Sequence, residues 1–288
     1  MVKEIENQAT NILCEIDVNG VATLTLNRIS KNNAFDDEMI EGLIHYLDTL
    51  AAIPTLRCLL LRANGKHFSA GADLNWMKSM AAKPQLENQQ SAEQLARLMS
   101  TLDNFPHPTI AVIHGCAFGG ALGLICCCDI AIGLSDSQFC FSEVKLGLIP
   151  ATIAPYVCRA IGVRSARRYM LTAERIDAHT AQQIGLLHQI INIEAEEKHY
   201  TNNIHTALDE HISKTIDALL ANSPSALLQV KTLCKRCENQ VIDPELIRYT
   251  SQLIADIRVS KQGQEGITAF FEKRAPSWIS EIKNRGEQ

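Results

Sequence analysis

The sequence of 288 residues has no long apolar run and no excess of positive charge. No stretch reaches the roughly 20 consecutive apolar residues that a membrane-spanning helix needs. The formal net charge is -5, from 27 basic and 32 acidic side chains, so no basic face for nucleic acid is expected. Residues 1–11 are acidic and rich in amides, without an apolar or arginine-rich targeting segment. These absences predict a cytoplasmic protein that binds neither membranes nor nucleic acids.

The short motifs of several common enzyme classes are also missing. The glycine-rich residues 115–123 do not form the GxGxxG fingerprint of dinucleotide-binding folds. The sequence contains no GxxxxGK(S/T) phosphate loop, and no GxSxG turn of the kind that carries the serine of many hydrolases. Dinucleotide, nucleoside triphosphate and serine-hydrolase chemistry are therefore disfavoured.

Cysteine is frequent, with ten residues, but its spacing does not suit a metal. Three cysteines are consecutive at 126–128, within an apolar segment. Cys234 and Cys237 form a single CxxC without the second pair that a zinc site requires. We therefore expect no metal, and we expect reduced cysteines that act mainly as small buried hydrophobic side chains.

Strand and helix signals alternate along the first two thirds of the chain. Residues 11–17 and 21–26 alternate as strands around an Asn-Gly turn, which predicts a hairpin. Largely apolar runs at 56–61 and 109–113 are typical of buried strands. Helical patterns separate these runs, and such alternation indicates an α/β fold with a parallel sheet.

The helical signals are strongest where polar caps precede an apolar periodicity. Asp36 is placed to cap a helix that follows it, and Gly162 is placed to end one. After about residue 195 the pattern is wholly helical and richer in charge. The sequence therefore predicts a core, residues 1–195, that carries the active site, and a helical region, residues 196–288.

A glycine turn between the strand at 109–113 and a following apolar helix is the most distinctive local feature. The turn contains Gly115, Gly119 and Gly120. A helix that begins directly after such a turn leaves free N–H groups at the positive end of its dipole. This end attracts a phosphate, a carboxylate or a developing oxyanion.

Four motifs and a C-terminal segment follow one another along the chain in a fixed order. They are residues 69–73 (SAGAD), 114–129 (HGCAFGGALGLICCCD), 141–150 (FSEVKLGLIP), 171–174 (LTAE) and 266–273 (GITAFFEK). In order and spacing they resemble the enoyl-CoA hydratase/isomerase (crotonase) family. Within that family the resemblance is closer to the bacterial 3-methylglutaconyl-CoA hydratases of leucine degradation, and hydratases of carboxylated terpenoyl-CoA thioesters are similar too.

The resemblance implies a fold, an activity and an assembly. The fold is a spiral of ββα units followed by a helical region, residues 196–288, that forms trimers, commonly paired into hexamers. The activity is that of a hydro-lyase, with 3-methylglutaconyl-CoA hydrated to 3-hydroxy-3-methylglutaryl-CoA as the expected reaction. Coenzyme A is then part of the substrate, and no separate cofactor is expected.

The resemblance also assigns site residues. Glu143 matches the catalytic acid/base, and the N–H groups of Ala70 and Gly120 match the oxyanion hole for the thioester carbonyl. For Arg28 and Lys31 a solvated basic loop remains an equal alternative. The residues that match substrate contacts are Arg28, Lys31, Ala34, Ala70, Asp73, Leu74, Gly119, Gly120, Phe270 and Lys273.

The sequence departs from many family hydratases at Gly123, where they carry a second glutamate. A single glutamate is typical of isomerases that move a double bond, so an enoyl-CoA isomerase is the alternative within this fold. RNA binding and a catalytically silent scaffold are further alternatives, disfavoured by the acidic charge and by Glu143. Arg159, Lys78 and Lys145 are unranked candidates for the cation that binds a carboxylate of the substrate.

Overall fold

A computed structural model of the chain describes residues 3–4, 11–192, 204–238 and 240–279. Within these ranges the strands form one sheet of seven strands and one of three. The strands are β1 (Lys3–Glu4), β2 (Ile12–Ile16), β3 (Val21–Leu26), β4 (Cys58–Ala63), β5 (Thr109–Ile113), β6 (Cys116–Phe118), β7 (Ile130–Leu134), β8 (Gln138–Cys140), β9 (Ile176–Asp177) and β10 (Gln189–Ile191).

The larger sheet has the order β1-β2-β3-β4-β5-β7-β10. The first three strands are antiparallel, and every pairing from β3 to β10 is parallel. The predicted hairpin is confirmed, and Asp17 Oδ1 stabilises its turn by accepting the N–H groups of Asn19 and Val21, both at 2.8 Å. The sheet is mixed rather than wholly parallel because this hairpin lies at its edge.

The smaller sheet pairs β6 parallel to β8, and β9 antiparallel to β8. The chain enters it from β5 through Gly115, whose φ is +60°. A Cβ at this position would lie 2.2 Å from Lys66 O, so only glycine fits the turn. An isolated bridge between Ser69 and Ala117 joins the loop after β4 to β6. The two loops that carry the family motifs therefore run side by side.

Helices cover both faces of the larger sheet. The predicted cap is confirmed, because Asp36 accepts the Met39 N–H at 3.0 Å. Gly162 interrupts the helical backbone, as predicted, because it adopts φ 74° and ψ 148° between two helical segments that continue each other as α5 (Ala154–Thr172). The helices are α1 (Asp37–Ala51), α2 (Leu74–Ala81), α3 (Gln85–Asp103), α4 (Gly120–Cys127), α5 (Ala154–Thr172), α6 (Ala178–Gln183), α7 (Ile204–Ala221), α8 (Pro224–Cys237), α9 (Pro244–Val259) and α10 (Lys261–Glu272).

Helix α7 buries the second face of the larger sheet. Its Leu208 and Ile212 are each 1% exposed and join one apolar cluster with the sheet residues Ile110, Val112 and Ile132. The main core on the other face is formed with α1, α3, α4 and α5. The helical region after residue 195 therefore contributes to the packing of the sheet, and its role in trimerisation stays a prediction.

Replacing Ile212 by Ala should lower the free energy of unfolding by about 3 kcal/mol, because it leaves a cavity between α7 and the sheet. Urea denaturation followed by circular dichroism measures the change. Val163→Ala is the matched control, since this side chain is 61% exposed and its truncation should change stability by less than about 0.5 kcal/mol. Equal stabilities of the two variants would contradict the packing of α7.

The cysteine side chains lie mostly away from solvent, and two of them, Cys234 and Cys237, are exposed. All ten are free, and Cys127 and Cys128 are buried. Burial raises the pKa of the Cys126 thiol to about 12, so this side chain stays protonated and unreactive at neutral pH. Across the described ranges no cluster of His, Cys, Asp and Glu could hold a metal ion. No helix in those ranges has the length and hydropathy to cross a bilayer.

Candidate active site

The loop that follows β4 is fixed at both ends by buried polar side chains. Asn33 Nδ2 donates to the carbonyls of Asn64 at 2.8 Å and His67 at 2.9 Å. Ser69, which is fully buried, donates from Oγ to Asn33 O at 2.7 Å and accepts the Gly71 N–H at 3.1 Å. These bonds make the SAGAD segment rigid without a regular secondary structure.

Within this loop the backbone around Ala72 is held by a two-sided bridge to Phe35. Phe35 N–H donates to Gly71 O at 2.7 Å, and Asp73 N–H donates to Phe35 O at 2.8 Å. The C=O and N–H of a trans peptide point in opposite directions, so the Ala72 N–H points away from Phe35. Among the described residues it has no acceptor. It is a fixed, free donor.

Ala70 does not have a free N–H. Its N–H donates to Asn32 O at 2.9 Å, so it cannot also bind an oxyanion. The prediction that Ala70 supplies the donor is therefore wrong, and the geometry assigns the free donor of this loop to Ala72. The sequence offers no signal for this difference, because both alanines flank Gly71 and only the bridge to Phe35 separates their roles.

The second loop presents another free donor at the start of α4. Gly119 has φ 55° and ψ -126°, a conformation open only to glycine, and its N–H donates to Cys140 O at 3.0 Å. The Gly120 N–H begins the helix and has no acceptor in the described part of the chain. The loops touch, since a Cβ on Gly71 would lie 2.9 Å from Phe118 O.

Glu143 brings a carboxyl group to the point where the loops meet. It follows β8 in a short 3₁₀ turn, Glu143–Leu146, and its carbonyl accepts the Leu148 N–H at 3.1 Å. A Cβ on Gly119 would lie 3.3 Å from Glu143 Oε1. Oε2 is buried without a hydrogen-bond partner. Burial raises the pKa of this carboxyl above its ordinary value.

Gly123 lies in α4 where no side chain fits. A Cβ there would be 2.3 Å from Ile153 Cγ2 and 2.9 Å from Met99 Sδ. Ile153 is 1% exposed and Met99 is fully buried, so neither neighbour has free space to move into. The absence of a second glutamate therefore coincides with a closed, apolar contact between α3, α4 and the segment that precedes α5.

Arg28 and Asp73 bond to the protein rather than facing solvent. Arg28 Nη1 lies 3.0 Å from Asp73 Oδ2, and Nη2 lies 2.6 Å from Asp36 Oδ2. Asp73, 5% exposed, also caps α2 by accepting the N–H groups of Asn75 and Trp76. The charged groups of both side chains therefore have partners within the protein, and their predicted contact with the substrate stays a prediction.

The other predicted contact residues are spread over the loops and the C-terminal helices. Ala34 is 5% exposed beneath the loop, and Gly119 is buried. No hydrogen bond or ion pair found in the described ranges joins the end of α10 to the glycine loops. The predicted residues with exposed side chains are Lys31, Ala70, Leu74, Phe270 and Lys273.

The three candidate cations differ in availability. Arg159 forms ion pairs with Asp103 and with Glu238, the second at 3.6 Å, so its charge is already compensated. Lys78 and Lys145 are exposed, and neither has an ion-pair partner among residues with described side chains. Lys145 lies in the same 3₁₀ turn as Glu143.

Several polar residues near the motifs have structural contacts. Asp129 Oδ2 accepts the Thr109 N–H at 2.7 Å, which ties the end of α4 to the start of β5. His67 Nδ1 accepts the Cys116 N–H at 3.1 Å, and His114 Nε2 lies 2.8 Å from Gly65 O. Burial lowers the pKa of both histidines, which favours neutral rings that hold the turns in place.

Known proteins share the sequence pattern and the overall fold of this chain. A family model described as enoyl-CoA hydratase/isomerase matches residues 17–281. A putative enoyl-CoA hydratase of Thermus thermophilus is 30% identical over 266 residues, which are 92% of this chain and 99% of the relative. The crystal structure of an enoyl-CoA hydratase from Shewanella pealeana is 50% identical, with a TM-score of 0.87, and the match covers 95% of this chain and 97% of that one.

A crystal structure from Legionella pneumophila, of a putative enoyl-CoA hydratase/isomerase (crotonase), is 44% identical with a TM-score of 0.85. That match covers 94% of this chain and all of the other, 100%. The seven-stranded sheet, the smaller sheet and the two glycine loops thus form a crotonase fold. The chain belongs to the enoyl-CoA hydratase/isomerase family.

Proposed function

We propose that the protein hydrates an enoyl-CoA thioester, with 3-methylglutaconyl-CoA as substrate and 3-hydroxy-3-methylglutaryl-CoA as product. One observation carries the proposal. The carboxyl group of Glu143, whose Oε2 is buried without a hydrogen-bond partner, lies against two touching loops that each offer a free N–H, from Ala72 and Gly120. This set suits a reaction in which a thioester carbonyl gains negative charge while a proton is transferred beside it.

In this proposal the thioester oxygen accepts both N–H groups. The double bond of the substrate is polarised, because negative charge that develops on the oxygen is stabilised by donors that need no rearrangement. The loop bonds of Asn33 and Ser69 keep the first donor in place, and the start of α4 adds the positive end of a helix dipole to the second.

Glu143 then carries both proton steps. Its carboxylate removes a proton from water, the hydroxide oxygen bonds to Cβ, and the π electrons move onto the thioester as an enolate. The protonated Glu143 returns that proton to Cα on the same face, so the elements of water are added across the double bond. A raised pKa suits this shuttle, because the group must hold a proton transiently near neutral pH.

An isomerase is the second candidate, and Gly123 is the observation that favours it. One carboxylate can move a proton between Cα and Cγ without activating water, and Ile153 blocks a second carboxylate at this position. Assays of purified protein with 3-methylglutaconyl-CoA, crotonyl-CoA and a 3-enoyl-CoA distinguish the two. Hydration of the first substrate supports the proposal, and turnover of the 3-enoyl-CoA alone would replace it with the isomerase.

We infer that Lys78 or Lys145 binds the distal carboxylate of the substrate, since Arg159 is engaged by Asp103 and Glu238. A lysine that binds the distal end of the acyl group favours a carboxylated substrate over an uncharged one, because opposite charges attract. The expected result is a higher kcat/KM for 3-methylglutaconyl-CoA than for crotonyl-CoA. Equal values for the two substrates would contradict recognition of the carboxylate.

We also infer a trimer, or a hexamer of paired trimers, assembled through the C-terminal helices. Apolar side chains on α9 and α10 are unusually exposed, with Ile254 at 46%, Phe270 at 79% and Phe271 at 78%. Large apolar side chains exposed in this way are typical of a surface covered by another subunit. Sedimentation velocity measures the mass, and a monomer at micromolar concentration would contradict the assembly.

A further inference from the structure

Arg28 joins two loops that the sequence places far apart. Its Nη2 pairs with Asp36 Oδ2 at 2.6 Å, and its Nη1 pairs with Asp73 Oδ2 at 3.0 Å while also donating to Ala34 O at 2.9 Å. The side chains of Arg28 and Asp73 are 16% and 6% exposed. A planar guanidinium suits such a fork, because its donors have fixed directions.

Both carboxylates have a second task at the start of a helix. The Oδ1 atom of Asp36 accepts the Met39 N–H at 3.0 Å and so caps α1. The Oδ1 atom of Asp73 accepts the N–H groups of Asn75 and Trp76, at 2.8 and 3.1 Å, and so caps α2. Each carboxylate thus offers one oxygen to its helix and the other to Arg28, which links the two helix starts.

The free N–H of Ala72 lies between these linked caps. Phe35 immediately precedes Asp36, and Ala72 immediately precedes Asp73, and these two neighbours form the bridge that orients the Gly71–Ala72 peptide. A change in the distance between the caps therefore changes the hydrogen bonds of that peptide. The Ala72 N–H then turns away from the position in which it meets the thioester oxygen.

We propose that Arg28 is a positioning residue that clamps the two helix caps and thereby holds the Ala72 N–H in its oxyanion-binding direction. The proposal rests on the proposed function for its catalytic consequence. A direct contact of Arg28 with the phosphates of coenzyme A is the competing explanation. The charges disfavour it, because one guanidinium between two carboxylates leaves a net negative cluster.

The test compares Arg28→Gln with the matched control Arg62→Gln. Arg62 forms an ion pair with Asp209 at 2.7 Å, and its side chain is 19% exposed. For Arg28→Gln we expect kcat to fall by roughly 10- to 100-fold with little change in KM, as for a misplaced catalytic donor. Arg62→Gln should keep the kcat of the unmodified protein. Arg28→Lys should recover part of the loss, because it keeps the charge but not the fork.

The substrate is varied to separate clamping from phosphate binding. The same enoyl group is assayed as its coenzyme A thioester and as its pantetheine thioester, which lacks the nucleotide phosphates. If Arg28 acts as a clamp, Arg28→Gln lowers kcat by the same factor for both thioesters. A rise in KM confined to the coenzyme A thioester, with kcat unchanged, would overturn the clamp and assign Arg28 to phosphate binding. Unchanged kinetics with both thioesters would overturn it as well.

Hydrogen exchange gives a readout that does not depend on turnover. Arg28→Gln should speed amide exchange in the peptide that covers residues 69–76 by about tenfold, whereas Arg62→Gln should leave it unchanged. Unchanged exchange in Arg28→Gln would overturn the clamp. If the unmodified protein turns over no enoyl-CoA but this exchange difference appears, the proposed function fails while the clamp stands.

Asp36→Asn isolates the ion pair from the helix cap, because asparagine also caps helices. It should lower kcat in the same direction as Arg28→Gln, and the double variant should be no slower than the slower single one. Independent, multiplying effects of the two substitutions would contradict a shared clamp.

Discussion

Replacing Glu143 by Gln is expected to lower kcat by about 10³-fold or more, while the coenzyme A thioester still binds. The reason is that the substitution removes the only proton shuttle of the proposed mechanism but keeps the size of the side chain. The amide stays in the same 3₁₀ turn beside Gly119, so the backbone donors of the loops are undisturbed. Binding without turnover is the signature of a group needed for chemistry and not for affinity.

The measurement combines steady-state hydration kinetics with calorimetric titration of the coenzyme A thioester. Glu87→Gln is the control, since Glu87 is exposed in the first turn of α3 and should not affect either quantity. A Glu143→Gln variant that hydrates at a near-normal rate would remove Glu143 from the mechanism. A variant that no longer binds the thioester would show that the carboxyl contributes to affinity instead.

The same substitution should make the protein more stable at alkaline pH. The pKa of Glu143 in the folded state is raised, so folding favours its protonated form, and stability falls as pH rises from the ordinary glutamate value of 4.5 through the folded-state pKa. The glutamine side chain of the variant carries no charge at any pH. The melting temperature of Glu143→Gln should therefore exceed that of the unmodified protein by on the order of 1–3 °C at pH 8.

This difference should shrink towards zero below pH 4.5, where the carboxyl is protonated in both the folded and unfolded states. Differential scanning calorimetry over a series of pH values checks the trend. A difference that is constant across the series would mean that the titration of Glu143 does not cause it.

Replacing Gly123 by Glu is expected to destabilise the fold by roughly 4 kcal/mol or more, or to prevent folding, rather than to add a second catalytic carboxylate. The Cβ alone would meet Ile153 Cγ2 at 2.3 Å, and the carboxylate would enter an apolar contact without a partner. A single substitution at Gly123 therefore cannot give this chain a hydratase mechanism with two carboxylates, because the packing around α4 leaves no space for the second one.

A double-variant cycle tests the physical cause. Gly123→Ala should cost about 2 kcal/mol in the unmodified background, because the methyl group overlaps Ile153. In the Ile153→Ala background the same change should cost much less, since the atom that it meets is gone. Chemical denaturation supplies the four stabilities. Additive effects would show that Ile153 does not close the position, and a Gly123→Glu variant of normal stability would contradict the packing altogether.

Local features of the fold were predictable wherever neighbouring residues determine the geometry. The Asn-Gly hairpin, the Asp36 cap and the glycine turn before α4 depend on φ values and on hydrogen bonds within a few residues. The order and spacing of the motifs were enough to predict the family, because they resemble the motifs of known members. Glu143 was also predictable as a candidate from its motif alone.

Other properties depended on contacts between segments that are distant in sequence. Asn32 and Phe35 decide which alanine of the SAGAD loop keeps a free N–H, and both precede α1 and β4 in the sequence, whereas the loop follows them. The sequence alone pointed to Ala70 instead of Ala72. The partners of Arg28 and the closed space at Gly123 were decided in the same way. A hydrogen bond or a steric overlap exists only once the chain is folded, so the sequence supplies the chemical groups and the tertiary structure decides which of them remain free to react.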